Sequence, residues 1–257
     1  MKITIITVTF NSRQFITDAL ESIQSQTHVD LEHIIVDGAS TDNTLKLIKR
    51  ASKRVDSIIS EPDQGIYDAL NKGIMRATGD VIGLLHSDDM FASLNTLQDI
   101  AKVFSTSSSE NGSSPDVLYG DLVYVDRNDT NKVVRYWKSE AFKRSLLNKG
   151  WMPPHPTLFM RRKVYEKHGL YNASIKCAAD YDYILRVFSD KTLTFSYLPE
   201  VITKMRVGGV STGGIKNLIN KRKEDYWVLK NNKMPFPLWI LFLKNILKVH
   251  QLIYLKR

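Results

Sequence analysis

Acidic side chains in this chain fall where a fold can use them. The apolar run "DVIGLLHS" ends on Asp88 and Asp89, two adjacent carboxylates. Neighbouring like charges repel, so the pair calls for a positive partner. Hard carboxylate oxygens suit Mg²⁺ or Mn²⁺, ions that bridge one or two protein carboxylates to substrate phosphates. The competing reading is a helix N-cap before "MFASLNTLQDI", and both can hold at once. Asp37 follows "HIIV", where a carboxylate can accept hydrogen bonds from a nucleoside base or ribose, or close an Asx-turn. Asp63, in "SEPDQGIYDALNKG", shares a loop with Pro62 and Gly65 and reads as a ligand contact or as a turn residue. In "CAADYDYILRV", Asp180 and Asp182 lie two apart and cannot share one helix face, so one can turn to a cleft as a base while the other caps or pairs.

Two further segments are weaker signals. His155, in the Pro-bounded "WMPPHPTLF", can contact an acceptor or serve as a structural histidine. Gly208 and Gly209, in "KMRVGGVST", make a loop that with Lys204 and Arg206 can fold over a diphosphate, or a plain turn. The chain has no GxxxxGK[ST] phosphate loop, GxGxxG fingerprint after its first strand, GxSxG elbow or HExxH helix. Kinase, dehydrogenase, serine-hydrolase and zinc-protease chemistries therefore lose their support.

The carboxylates need elements that bring them together. Residues 3–9 and 31–36 are β-branched runs of strand length, each followed by polar turn residues and a helical pattern. The first helix carries Phe15, Ile16, Ala19, Leu20 and Ile23 at helical spacing; the second opens on the N-cap string "STDNT". "VDSIIS" and "DVIGLL" add two strands around the helix "IYDALNKGIMRA". This is the βαβα rhythm of a parallel sheet, in which ligands bind beyond the carboxyl ends of the strands. The Ser-rich stretch from Ser105 to Pro115 predicts a solvated loop between two halves. Beyond it, "DVLYGDLVYVD" and "KVVRYW" predict antiparallel strands, and "RRKVYEKHGLYN" and "AADYDYILRVFSD" predict helices.

Composition bounds the setting. With 257 residues, 43% of them hydrophobic, the chain can bury a large α/β core. Its single cysteine, Cys177, leaves no intramolecular disulfide and predicts a reducing compartment, the cytoplasm. The opening apolar run reads as a strand rather than a signal sequence. Residues 1–129 hold 11 basic and 19 acidic side chains, net −8, whereas residues 130–257 hold 25 and 8, net +17. A basic excess confined to one half predicts a polyanionic partner there, and the acidic half can hold a cation. The C-terminal "FPLWILFLKNILKVHQLIYLKR" is apolar except for a stripe at Lys244, Lys248 and Gln251, a pattern that predicts a helix lying in the interface of an anionic membrane. No apolar run reaches the roughly 20 residues of a spanning helix.

In their order these signals resemble the family 2 glycosyltransferases of GT-A fold, typified by bacterial capsule, exopolysaccharide and lipopolysaccharide enzymes. The resemblance spans residues 1–215 and rests on "TVTFN" (7–11), "IIVDGASTDNT" (34–44), "EPDQGIYDALNKGIMRATGDVIGLLHSDD" (61–89), "HPTLFMRRKVYEKHGLYN" (155–172) and "AADYDYILR" (178–186). It implies a Rossmann-like nucleotide-sugar-binding half at 1–104 and a mixed acceptor and base half at 115–215, followed by the basic helical region at 216–257. It implies further that Thr9, Asn11, Asp37, Asp63 and Asp88 surround the nucleotide, that Asp89 coordinates the metal, and that Asp180 is the base; Arg206, read from the "KMRVGGVST" segment, joins the nucleotide-sugar candidates. Ser87 stands where a full DXD triplet has its first acid. The implied reaction is inverting transfer of one hexosyl or N-acetylhexosaminyl unit from a nucleotide-diphosphate sugar, UDP-linked by base rate, to a saccharide acceptor. The basic tail points to a lipid-linked acceptor at the inner face of the cell membrane. A sugar-phosphate nucleotidyltransferase would need a glycine-rich phosphate loop that "TVTFNSRQF" lacks. A nucleic-acid-binding module would interleave aromatics with its basic residues, which this chain does not.

Overall fold

The structure is a computed structural model that describes residues 1–51, 54–106, 114–208 and 214–253, with 214–219 and 247–253 described by backbone alone. Four strands run parallel: β1 (Ile3–Thr9), β2 (Leu31–Asp37), β3 (Ser57–Ser60) and β4 (Val81–Leu84). The helices between them are α1 (Ile16–Gln24), α2 (Thr44–Ala51) and α3 (Ile66–Arg76). Side chains alternate across the pleat, so Ile34 and Val36 join one core with α3 while Ile35 joins Ile16, Leu20 and Ile48 on the other. Helices therefore cover both faces. This is the doubly wound half expected, and its strands end together at one edge.

The sheet continues into the second half in the order β3-β2-β1-β4-β8-β6-β9-β5. Between β4 and that half lie the two-residue β5 (Met90–Phe91) and α4 (Thr96–Ser105). Then come β6 (Val117–Val125), β7 (Val133–Trp137), β8 (Phe159–Arg161), α5 (Arg162–His168), α6 (Ala179–Ser189) and β9 (Phe195–Arg206). As expected, β6 and β7 pair antiparallel.

The sequence pattern does not show β9, which pairs parallel with β6 along its whole length. Its register jumps from Leu198 to Val201, and Pro199 and Glu200 fall in that bulge, so the strand reads as two broken pieces. Lys204 and Arg206 consequently stand on a strand rather than on the expected loop. Gly209 and most of the Ser-rich stretch lie outside the described residues.

Two helices close the chain, α7 (Gly214–Asn231) and α8 (Pro237–Ile253). The expected polar stripe of α8 is overturned at Lys244, which is buried and paired with Asp225; the side chains of Lys248 and Gln251 lie outside the described set. Among the described residues α8 exposes Leu238, Trp239, Phe242 and Ile246 together with the polar Asn245, next to exposed Phe236. No helix among the described residues is long and apolar enough to cross a membrane.

Candidate active site

The carboxyl ends of β1 and β2 bring Thr9 and Asp37 side by side in register. Asp37 is fully buried and accepts hydrogen bonds from the Ser40 amide (3.0 Å), the Ser40 hydroxyl (2.5 Å) and the Ser60 hydroxyl (2.8 Å). Asn11 adopts a left-handed backbone (φ 50°), which asparagine tolerates better than most residues. Its Oδ1 accepts from the amides of Thr41 (2.9 Å) and Asp42 (3.3 Å), so the turn after β1 and the turn after β2 are tied together. The Thr9 hydroxyl is buried with no hydrogen-bond partner among the described residues. A Cβ at position 38 would stand 2.4 Å from the Asp63 carboxylate. Only glycine there lets Asp63 approach the end of β2. The turn expected at Asp63 is present as well, its Oδ1 accepting the Gly65 amide at 2.9 Å.

Asp88 and Asp89 follow β4 on a turn closed by a hydrogen bond from the Asp89 amide to the His86 carbonyl (3.0 Å). The Asp89 side chain is buried, and among the described residues neither carboxylate oxygen has a hydrogen-bond partner within ordinary geometry, although the Arg206 amide and charge bear on it. Burial pushes its carboxyl well above the usual carboxylate range, and the adjacent Asp88 charge pushes the same way against Arg206. An orphaned buried carboxylate is costly unless a cation meets it. The donor set therefore fits a hard divalent ion. Among the described residues no group of three or more His, Cys, Asp or Glu side chains is placed to hold a metal ion.

Arg206, expected at the diphosphate, has another task in this structure. Its guanidinium is buried, ion-paired with Asp18, stacked 4.7 Å from the Phe15 ring, and donates to the carbonyls of Arg127 (3.2 Å) and Asp88 (2.9 Å). It braces the Asp88 turn from behind. Phe15, expected in the core face of α1, is instead the platform for Arg206 and Arg127.

Asp180 lies in the first turn of α6, where its Oδ1 accepts from the Tyr67 hydroxyl (3.3 Å) and the Tyr181 amide (2.8 Å). Tyr67 is the second residue of α3, directly after the Asp63 loop. Its ring stacks on Tyr171 at 5.8 Å; Tyr171 shares a 2.8 Å hydrogen bond with His155; and the His155 ring stacks on His86 at 6.4 Å, on the turn that carries Asp88 and Asp89. Burial pushes the His86 ring below the usual histidine range, against the charges of Asp88 and Asp180, which both bear on it. Contacts through Tyr67, Tyr171, His155 and His86 thus link Asp180 to the turn that carries Asp88 and Asp89, while the Asp63 loop leads into Tyr67 and comes up against Gly38 at the end of β2. Asp182 takes the structural alternative, paired with Arg186 (3.0 Å) and accepting from Asn232 (2.8 Å).

His155 is buried, and its Pro-bounded segment packs inward on Tyr171 and His86. Its ring is taken up by this packing rather than standing exposed toward an acceptor as expected. Phe10 is a site residue that residue-type reasoning passes over: it stands between Thr9 and Asn11, is 62% exposed, and lies beside the position where Asp63 meets Gly38. Its signal is an aromatic placed just past the end of a buried strand.

The family model described as glycosyl transferase family 2 matches residues 4–169, more than half of the chain. The chain belongs to that family. A PGL/p-HBAD biosynthesis glycosyltransferase of Mycobacterium tuberculosis is 29% identical to this glycosyltransferase over 225 residues, covering 84% of this chain and 79% of the relative. An uncharacterized glycosyltransferase of the same species is 30% identical over 190 residues, 72% and 68% of the two chains. Among solved structures, S. aureus TarS 1–349 in complex with UDP-GlcNAc superposes with a TM-score of 0.66 at 18% identity, covering 96% of this glycosyltransferase and 70% of TarS 1–349. The mannosyltransferase PcManGT of Pyrobaculum calidifontis, in complex with GDP-Man and Mn²⁺, gives a TM-score of 0.65 at 20% identity, covering 97% and 70%. At these identities the likeness shows the shared GT-A fold. The family match stops at residue 169, short of Asp180 and of α6 to α8.

Proposed function

We propose that this glycosyltransferase moves one hexosyl or N-acetylhexosaminyl unit from a UDP-linked sugar to a hydroxyl of a saccharide acceptor, with inversion at the anomeric carbon. The observation that carries the reading is Asp89, a buried carboxylate whose oxygens have no hydrogen-bond partner by geometry among the described residues, on a turn linked to Asp180 through His86, His155, Tyr171 and Tyr67. Thr9, Asn11, Asp37 and Asp63 line the nucleotide end, with Phe10 as a flat apolar surface for the base. Asp88 faces the donor from the turn that Arg206 braces. Asp180 accepts the proton of the attacking hydroxyl. The new oxygen–carbon bond then forms on the face opposite the diphosphate, whose oxygen leaves with the electron pair of the broken bond. A Mg²⁺ or Mn²⁺ ion held by Asp89 together with the diphosphate would neutralise charge on the leaving group. UDP is favoured because TarS, of the same fold, is described with UDP-GlcNAc.

The α7–α8 surface supports a membrane setting. Trp239 and Phe242 stack on each other at 5.4 Å and are both more than half exposed, alongside Phe236 and Leu238. Exposed Arg222, Lys223, Lys230 and Lys233 accompany them. Apolar side chains beside cations suit the interface of an anionic bilayer, which would present a lipid-linked acceptor, as in bacterial surface polysaccharide assembly at the cytoplasmic face.

A thermal-shift screen of UDP-, GDP- and dTDP-sugars with and without Mn²⁺ tests the donor reading, since a ligand of the native state raises its apparent stability. The expected result is a UDP-sugar shift that grows with Mn²⁺, and an Asp89→Asn protein that stays folded while losing the Mn²⁺-dependent part. A full Mn²⁺ response in Asp89→Asn, or no donor response at all, would overturn it.

A further inference from the structure

The N-terminus of α6 is held by a helix far along the chain. Position 178, just before α6, supplies no side-chain cap. Glu224 of α7 supplies one from outside: its carboxylate accepts the amides of Cys177 (2.6 Å), Ala178 (3.1 Å) and Lys176 (3.3 Å). These donors lead directly into the turn that carries Asp180. A carboxylate there satisfies backbone groups that would otherwise lack partners and meets the positive end of the helix dipole.

Three more contacts from the same region converge on that turn. Asp225 pairs at 3.0 Å with Lys244 of α8, both side chains buried. The Lys244 ammonium lies 3.3 Å from the centre of the Tyr181 ring, next in sequence to Asp180. Two helical turns after Glu224, Asn232 donates to Asp182. Residues 224, 225, 228 and 229 form one face of α7, with Asn232 just past its end, and Val228 and Leu229 are fully buried on that face. By contrast, the direct holds on Asp180 are the 3.3 Å contact from Tyr67 and the amide of its own neighbour. Where Asp180 stands is therefore set by where the first turn of α6 stands.

We propose that Glu224 is a positioning residue for Asp180, and that α7 with the Asp225–Lys244 pair is a built-in clamp on the base rather than a detachable tether. The inference rests on the reading of Asp180 as the base. A displacement of about 1 Å in a reacting group can cost roughly a hundredfold in rate. Loss of the cap should thus appear in turnover and not in donor binding.

The test compares Glu224→Ala and Glu224→Gln with the unaltered full-length chain, using whichever UDP-, GDP- or dTDP-sugar that chain turns over fastest in Mn²⁺. For Glu224→Ala the expected result is a roughly ten- to hundredfold fall in kcat with an unchanged donor KM. Glu224→Gln, which keeps one acceptor oxygen, should recover part of the loss. Amide exchange over residues 176–181, which needs no substrate, should accelerate about tenfold in Glu224→Ala while α3 keeps its protection. Arg144→Ala is the control for simple loosening. Arg144 donates to the carbonyls of Phe188 (3.0 Å) and Ser189 (2.9 Å) at the far end of α6, so its loss should lower Tm and leave kcat in place. Unchanged exchange in Glu224→Ala would overturn the clamp, and so would faster exchange with full turnover. Asp180→Asn separates the two readings: if it is inactive while Glu224→Ala is fully active, the clamp alone fails; if Asp180→Asn is itself fully active, the base assignment fails.

Discussion

The edge where β1 and β2 end, proposed to hold the nucleotide, and the side that carries Asp180, proposed as the base, are built in opposite ways. At the nucleotide edge, Asp37 takes two of its three side-chain hydrogen bonds from Ser40, three residues on, and the third from the neighbouring strand β3. Thr9 and Asp37 face each other because β1 and β2 are paired in register from their first residues. On the base side, Tyr67 reaches Asp180 across 113 residues, and Glu224 caps the approach to α6 from 47 residues beyond Cys177. A repeated strand–turn–helix unit makes its own pocket, whereas a single carboxylate on a helix must be aimed by whatever packs around that helix. The charge division runs the same way, with net −8 over residues 1–129 and net +17 over residues 130–257.

The largest effect that could break this contrast is Asp180→Asn. Transfer should fall about a thousandfold, the upper range for losing a general base, while donor affinity by calorimetry stays within about twofold because the nucleotide edge does not draw on α6. A parallel loss of donor affinity would mean that the two sides are not separately built.

Acid should next reveal what the two sides share. Each buries a neutral histidine: His33 is pushed down to about 3 and His155 to about 4, burial being the main cause in both. In the unfolded chain both titrate near 6.5. Unfolding therefore takes up protons below that pH, so stability is highest above 6.5 and falls as the pH drops toward 4. The loss by pH 4 is about 2 to 3 kcal/mol for each ring. Glu32 adds its own loss only below about 4.5: burial opposes its ionisation, but hydrogen bonds from Thr4, Thr78 and Lys2 outweigh that and hold it at about 2. Urea unfolding at pH 7 and pH 4.5 reads the slope, and His155→Gln should flatten it. A stability independent of pH across that window would exclude buried neutral rings.

The smallest expected effect separates the inner and outer faces of the C-terminal helices. Trp239→Ser with Phe242→Ser should weaken sedimentation with phosphatidylglycerol vesicles roughly tenfold, while kcat on a soluble acceptor holds, because neither side chain faces α6. Unchanged vesicle binding would remove the bilayer from the proposal.

Much of the nucleotide edge was legible beforehand because its signals are local. β-branched runs, turn residues and helical spacing recur within 30 or so residues, and a carboxylate at the end of such a run has few places to point. β9 was hidden because Pro199 and Glu200 interrupt its pattern inside a bulge. Arg206 and His155 carry the residue types of ligand contacts, yet β9 and the inward-packed segment around His155 turn them into braces.

Lys244 shows the same limit on α8. Periodicity marks it as polar among apolar neighbours but does not say whether water or Asp225 receives it.

From residue order alone followed a parallel α/β half, the carboxylates at its strand ends, and the segregation of charge, since each depends on short stretches of chain. Which of Asp180 and Asp182 is ion-paired, why Asp89 is buried, and what holds the first turn of α6 were decided only when distant segments packed together. Those outcomes depend on burial and on partners up to 113 residues apart, and long-range pairing of that kind leaves no periodic trace in the chain.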